Sequence, residues 1–143
     1  MGTRVAGWVS RTFVWRLDPL VMRFTRGRGG LGLGLPTALL ETTGAKSALP
    51  RRNAVVYFHD GDDVILIPSK MGADHHPAWF HNAVAHPDVT LGGLSFRAGV
   101  VEDPDEQARL WTLADNVFPA FERYRDRAAA TGRTIPILRL TPR

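Results

Sequence analysis

Asn53-Ala54-Val55-Val56-Tyr57-Phe58-His59 runs into Asp60-Gly61-Asp62-Asp63 and out through Val64-Ile65-Leu66-Ile67, and this stretch decides the fold. β-Branched and aromatic residues crowd both arms, and the Asp-Gly pair between them supplies the corner that a tight hairpin needs. Strands joined this closely pair antiparallel, because a parallel crossover takes about a dozen residues or more. A doubly wound parallel sheet is therefore excluded.

Working outward, residues 37–43 read as a further apolar strand, with Gly44 opening a turn through Ser47. After the hairpin, residues 77–85 have helical spacing, with Trp79, Phe80, Ala83 and Val84 near one side and His86-Pro87 as the stop. Residues 89–91 and 94–101 form a second antiparallel pair around Gly92-Gly93. A helix then starts at Asp103, a good N-cap, with Pro104 in the first helical position and Glu106 completing a capping-box pattern. Leu110, Trp111, Ala114, Val117, Phe118 and Phe121 make its apolar side, interrupted at Pro119, and residues 135–140 make a last strand. Six antiparallel strands with interspersed helices close most economically into a small barrel, which removes exposed edges. The predicted class is mainly β with helices.

Residues 4–25 carry Val5, Trp8, Val9, Phe13, Leu17, Leu20, Val21 and Phe24 at helical spacing, with arginines between them and a break or kink at Pro19. The glycine-rich run 27–36 reads as a linker; it lacks the Gly-Lys-Ser/Thr ending and the preceding strand of a phosphate loop. The chain accordingly divides into an N-terminal amphipathic helix with linker, 1–36, and a barrel domain, 37–143. Two readings of the N-terminal helix stay open. It packs over the barrel pocket, or Trp8, Phe13 and Phe24 with their flanking arginines lie at an anionic membrane surface.

The 143 residues carry a net charge of +4, and of 18 basic residues only Lys46 and Lys70 are lysine. A positive balance favours anionic partners. With no cysteine, disulfides, thiolate metal sites and cysteine nucleophiles are excluded. No apolar run approaches the roughly 20 residues of a membrane span. Arg4, Arg11 and Arg16 interrupt the N-terminal apolar residues, so no signal peptide is read and a cytoplasmic location is expected.

Chemistry concentrates in two segments. In Thr42-Thr43-Gly44-Ala45-Lys46-Ser47-Ala48-Leu49-Pro50-Arg51-Arg52-Asn53, hydroxyls, amides, Lys46, Arg51 and Asn53 could surround a phosphate or carboxylate. In Pro68-Ser69-Lys70-Met71-Gly72, a hydroxyl and an ammonium sit at a strand end before a glycine. The bland alternative for each is a solvated hairpin turn, and the placement of both lysines in these turns weighs against it. His76, His81 and His86 recur at a spacing that does not share one helical face, so no metal site is expected.

Taken in order, Thr42-Thr43-Gly44-x-Lys46-Ser47-x-x-Pro50-Arg51, Asn53, Ser69-Lys70-x-Gly72, Pro77-x-Trp79-Phe80-x-Asn82, Ala85-x-Pro87-x-Val89 and Arg133-Thr134-Ile135-Pro136-Ile137 resemble the deazaflavin-dependent nitroreductase family, over about residues 37–143. The resemblance implies a split β-barrel of the FMN-binding-like fold and an oxidoreductase that takes hydride from reduced coenzyme F-420. It implies cofactor contacts from Thr43, Lys46, Ser47, Arg51 and Asn53 to the phosphate and acidic tail, from Ser69 and Lys70 to the ring, and from Trp79 beside the cofactor. The acceptor would be a quinone, an unsaturated lactone or a nitroaromatic, and the proton would come from Tyr124, Ser69 or water. Val56, Phe118, Phe121 and Tyr124 match the substrate pocket, where the family's nitroimidazole reductase is richer in tyrosine; here only Tyr124 keeps a hydroxyl. Ala48 stands where the family usually has glycine, Met71 where it has the first glycine after Ser-Lys, and His81 where it has an aliphatic residue. The rival readings are an FMN-dependent reductase of the same fold, a non-catalytic carrier of F-420 or a hydrophobic ligand, and a nucleic-acid binder, for which no motif is found. A homodimer is the protein partner weighed.

Overall fold

The computed structural model describes residues 35–143; the N-terminal helix and most of the linker read from the sequence lie outside them. Six strands, β1 Thr37–Thr43, β2 Pro50–Asp60, β3 Asp63–Leu66, β4 Asp88–Leu91, β5 Leu94–Val100 and β6 Leu138–Pro142, close into a barrel in the order β1-β2-β3-β6-β5-β4. Every pairing is antiparallel. Helix α1, Ala78–Ala85, lies between β3 and β4; α2, Pro104–Val117, and α3, Ala120–Ala130, lie between β5 and β6. This is the small closed barrel expected from the strand order, and the split-barrel architecture that the family resemblance implied.

Alternation along the strands sorts side chains into two cores. Ala38, Leu40, Val55, Tyr57, Val64, Leu66, Val89, Leu91, Phe96, Leu138 and Leu140 fill the barrel, and Trp79, Phe80 and Ala83 from α1 join them. Phe58, Ile65 and Ile67 point the other way and pack beneath α2 and α3 with Leu110, Ala114, Phe121 and Ala128. Both faces of β3 are thus covered, which is why Val64 to Ile67 reads as an unbroken apolar run rather than an alternating one. Phe96, wholly buried at the centre, contributes about 1.5–3 kcal/mol by its removal from water.

Ionic contacts tie the hairpin turn to β6 and α2. Arg139 on β6 donates to Asp60 at 3.0 Å and to Asp63 at 2.8 Å, and it also holds Glu106. Arg109 on α2 forks onto Asp60 at 3.0 and 2.7 Å. The Arg109 hydrogen bond, with help from Arg139, holds the Asp60 carboxyl below the usual carboxylate range.

Three boundaries differ from the sequence reading. Strand β2 begins at Pro50, three residues before Asn53, because Thr43 to Leu40 supply a hydrogen-bonded partner for a polar, exposed segment. The last strand begins at Leu138, not Ile135: Pro136 has no N–H to give a ladder, and Ile135 and Ile137 are buried in the outer core instead. At α2, Asp103 caps as expected, its Oδ2 accepting from the Glu106 amide at 2.9 Å. The reciprocal half of the capping box does not form, since the Glu106 carboxylate is taken by Arg109 and Arg139.

Candidate functional site

The turn from β1 to β2 closes on itself. Gly44 N–H donates to the Leu49 carbonyl at 2.8 Å, Ala48 N–H to the Gly44 carbonyl at 3.0 Å, and Leu49 N–H to Ser47 Oγ at 3.1 Å. Closing it requires Ala48 to sit at φ 62°, in the left-handed region. Helix α1 fixes the turn from the side: Asn82 Oδ1 accepts from the Ala45 amide at 2.9 Å while its Nδ2 donates to Thr42 Oγ1 at 3.4 Å. Asn82 is buried, so these bonds also satisfy an amide that would otherwise be costly to desolvate.

Between this turn and α1 lies a groove of about 720 Å³, lined by Gly44, Ala45, Lys46, Ser47, Arg51, Arg52 and Asn53 on one side and Ala78, His81 and Asn82 on the other. Among the described residues, three permanent cations and no carboxylate line it. Arg52 gives its Nε to Glu41 at 3.1 Å. Among the described residues, Lys46 and Arg51 have no carboxylate partner; Arg51 reaches only Ser47 Oγ, at 3.4 Å. Unspent positive charge beside the Asn53 side-chain amide suits a phosphate or a chain of carboxylates.

A second cluster surrounds Ser69 and Lys70. The turn Lys70–Gly72 sits on α3, and Gly72 at φ +81° is pressed so close to the Tyr124 carbonyl and Arg127 that a Cβ would collide with both. Lys70 and Met71 also take positive φ, 48° and 53°. Arg133 holds this segment together from beneath. It donates to the carbonyls of Pro68, of Ser69 at 3.0 Å and of Ala73 at 2.7 Å, and its Nε donates to His76 Nδ1 at 2.8 Å. Burial pushes the Arg133 guanidinium down from its ordinary value. Burial first, then the Arg133 charge, pushes His76 down. His76 is therefore a neutral acceptor, with its proton on Nε2.

Beside this turn the aromatic side chains gather. Phe118 lies 5.1 Å from Phe121 and 5.9 Å from Tyr124 between ring centroids, edge to face, and Val56 joins the same outer cluster. Phe121 is buried, whereas Val56, Phe118 and Tyr124 are half-buried at its rim.

The structure thus brings Lys46, Ser47, Arg51 and Asn53 into one groove, and Ser69, Lys70, Tyr124 and Phe118 into a second neighbourhood. His76 connects the two: its ring stands 5.7 Å from that of His81, which lines the groove. Thr43 faces a separate recess with Glu41 and Thr90. Trp79 is 9% exposed in the barrel core and stands behind the groove wall, not in it. The histidine-rich stretch is otherwise occupied by Asp74, which holds His75 Nδ1 at 2.7 Å. Among the described residues, no group of His, Asp and Glu is arranged to hold a metal. Asn82 and Arg133 stand within the sequence motifs with no role legible there; both act by joining segments far apart in the chain. Arg52 lines the groove as well, beyond the residues expected from the sequence.

Comparison with known proteins bears on this arrangement. The profile of the family described as F420H(2)-dependent quinone reductase matches residues 11–142. An F420H(2)-dependent quinone reductase of Mycobacterium tuberculosis is 35% identical over 150 residues, covering 97% of this chain and 99% of that one. Among solved structures, an F420-H2 dependent reductase superposes with a TM-score of 0.61 at 29% identity, covering 73% of this chain and 93% of its own. Another, described as a domain-swapped dimer, has a TM-score of 0.63 at 28% identity and covers 73% of this chain and 79% of its own.

Proposed function

Since the chain belongs to the F420H(2)-dependent quinone reductase family, we propose that it transfers hydride from reduced coenzyme F-420 to a small electron-poor acceptor such as a quinone, an unsaturated lactone or a nitroaromatic. The observation that carries this reading is the groove itself: among the described residues, Lys46, Arg51 and Arg52 line it with Asn53 and no carboxylate does. Coenzyme F-420 carries a phosphodiester and a glutamate tail, so the donor set fits the group in charge and in chemistry. When bound, the reduced deazaflavin supplies the hydride, and the protein contributes position, dryness and electrostatics.

Each part of that contribution has an owner. Lys46, Ser47, Arg51 and Asn53 hold the anionic tail, with Thr43 bordering the turn. Ser69 and Lys70 face the ring, on a turn whose shape Arg133 sets through three carbonyls. Trp79 acts from the core, keeping α1 and its Asn82 in place. Val56, Phe118 and Phe121 keep water from the reacting end, and the Tyr124 hydroxyl or Ser69 delivers the proton. Residues 37–143 form the F-420 domain. The structural relative solved as a domain-swapped dimer supports a homodimer, which light scattering would test.

Fluorescence titration with F-420 and, separately, with FMN tests the proposal, repeated for Lys46→Ala and Arg51→Ala. Micromolar F-420 binding, weakened by about tenfold or more in each variant and with little response to FMN, is the expected result; a loss of that size is what a charge-assisted contact is worth. FMN binding tighter than F-420 binding, or variants that bind as the wild type does, would remove the tail from this groove.

A further inference from the structure

Among the described residues, His81 is the one histidine that lines the groove, and imidazole is the side-chain type that proteins use as a switch near neutral pH. His81 stands on α1 and lines the same groove as Lys46 and Arg51, where the family's resemblance leads one to expect an aliphatic side chain. We propose that His81 is a pH-responsive cation of this groove. Protonated, it joins Lys46 and Arg51 in holding the anionic tail, so that binding takes up a proton and tightens as pH falls. The inference rests on the groove reading above and deepens it by naming a specificity residue that this chain adds.

The charged and titratable groups around His81 allow this assignment. Across the groove stand Lys46, Arg51 and Arg52, the last already bound to Glu41 at 3.1 Å. Among the described residues, no carboxylate lines the groove to neutralise an imidazolium in place of the ligand. On its own side, His76 is 5.7 Å away between ring centroids. Its Nδ1 accepts from Arg133 at 2.8 Å, and burial, then that guanidinium, push it below its ordinary value; His81→Leu retains it, so its own protonation cancels in the comparison with the wild type. Strand β5, against which α1 also packs, brings Arg97, which is paired with Asp88 at 3.4 Å. Asp74, earlier in the same connection, is held by His75 at 2.7 Å. An anion seated between His81 and the two free cations therefore favours the charged imidazole by direct Coulomb attraction, and by linkage the charged imidazole favours the anion.

The effect is modest because the groove is open to water. One added charge at this range is expected to change the dissociation constant by about three- to tenfold between pH 8 and pH 5.5. The experiment is an F-420 titration across that range for the wild type, His81→Leu, His81→Arg and Lys46→Ala. Ionisation of F-420 itself affects every variant alike, so the wild type minus His81→Leu isolates the histidine. Expected are tightening toward low pH that is lost in His81→Leu, and tight binding with the leucine variant's pH profile in His81→Arg. In parallel, the imidazole Hε1 resonance missing from the His81→Leu spectrum should shift its titration midpoint upward on saturation with F-420. A His81→Leu profile equal to the wild type, with Lys46→Ala still weakened, overturns this inference alone. Lys46→Ala binding as tightly as the wild type at every pH overturns the groove reading with it.

Discussion

The amide of Ala45 donates to Asn82 Oδ1 at 2.9 Å across 37 residues of sequence, so the wall of the cation groove and the helix that plugs the barrel are one mechanical unit. Asn82→Ala leaves a turn amide without its acceptor and a cavity beside it. A loss of about 1–3 kcal/mol in stability is expected, together with weaker F-420 binding because Lys46 and Ser47 lose their fixed position. Asn82→Asp keeps the acceptor but buries a carboxylate beside the groove and forfeits the donation to Thr42 Oγ1, so it should lose stability as well as anion binding. Urea denaturation alongside the F-420 titration separates the two. An aspartate variant that binds as well as the wild type would show that the groove does not hold an anion.

Ala48 and Met71 occupy left-handed backbone, φ 62° and 53°, at the positions where the family resemblance leads one to expect glycine. The turn hydrogen bonds of Gly44 and Leu49 and the packing of the 70–72 turn on α3 enforce these conformations on residues that resist them. Both side chains are exposed, Met71 at 65%, so little packing is lost on removing them. Ala48→Gly and Met71→Gly should each stabilise the fold by about 1 kcal/mol, the relief of strain exceeding the entropy that glycine adds to the unfolded chain. A rise of roughly 3 °C in Tm is expected for each. Ala54→Gly, in ordinary exposed strand, should do the opposite.

What the sequence disclosed and what it withheld divide along one physical line. The Asp60-Gly61 hairpin, the Asp103 cap and the stop at His86-Pro87 are local rules, in which neighbours in the chain fix the outcome. The cationic turn was equally readable, because Lys46, Arg51 and Asn53 lie within one hairpin. The start of β2 was not, since Pro50-Arg51-Arg52 carry no strand signal and are strand only because Thr43, Thr42 and Glu41 pair with them. The roles of Arg133 and Asn82 were hidden for the same reason: their partners lie between 37 and 65 residues away. Trp79 was legible as an important aromatic, yet which side of α1 it faces depended on the barrel it plugs.

Arg133 and His76 make the Ser69–Lys70 turn sensitive to acid. His76 is pushed below its ordinary value chiefly by burial and then by Arg133, so the folded state disfavours its proton more than the unfolded state does. Stability from this site is therefore complete above the unfolded value near 6.5 and is lost as pH falls through the lower folded value. Melting temperatures between pH 7.5 and 5 should decline more steeply for the wild type than for His76→Gln, whose carbonyl can still accept from Arg133 without titrating. Parallel declines would show that His76 is not the responsible group. Arg133→Lys keeps the charge but cannot serve four acceptors at once, and should cost about 3 kcal/mol or more at any pH, as breaking a buried hydrogen-bonded charge does.

Because Lys46 and Lys70 are the chain's only lysines, amine acylation reads the two halves of the candidate site separately. Lys46 lines the groove and Lys70 stands on the exposed turn against α3. With F-420 at about ten times its dissociation constant, acylation of a lysine covered by the ligand should slow by about tenfold, since only the unliganded fraction reacts. Peptide mass spectrometry after timed acetylation gives both rates in one sample. Protection of both lysines by F-420 is expected, whereas inorganic phosphate, which resembles the tail and not the ring, should protect Lys46 alone. If F-420 protects Lys70 while Lys46 reacts at its free rate, the anionic tail lies outside the groove and the cations gathered there serve another ligand.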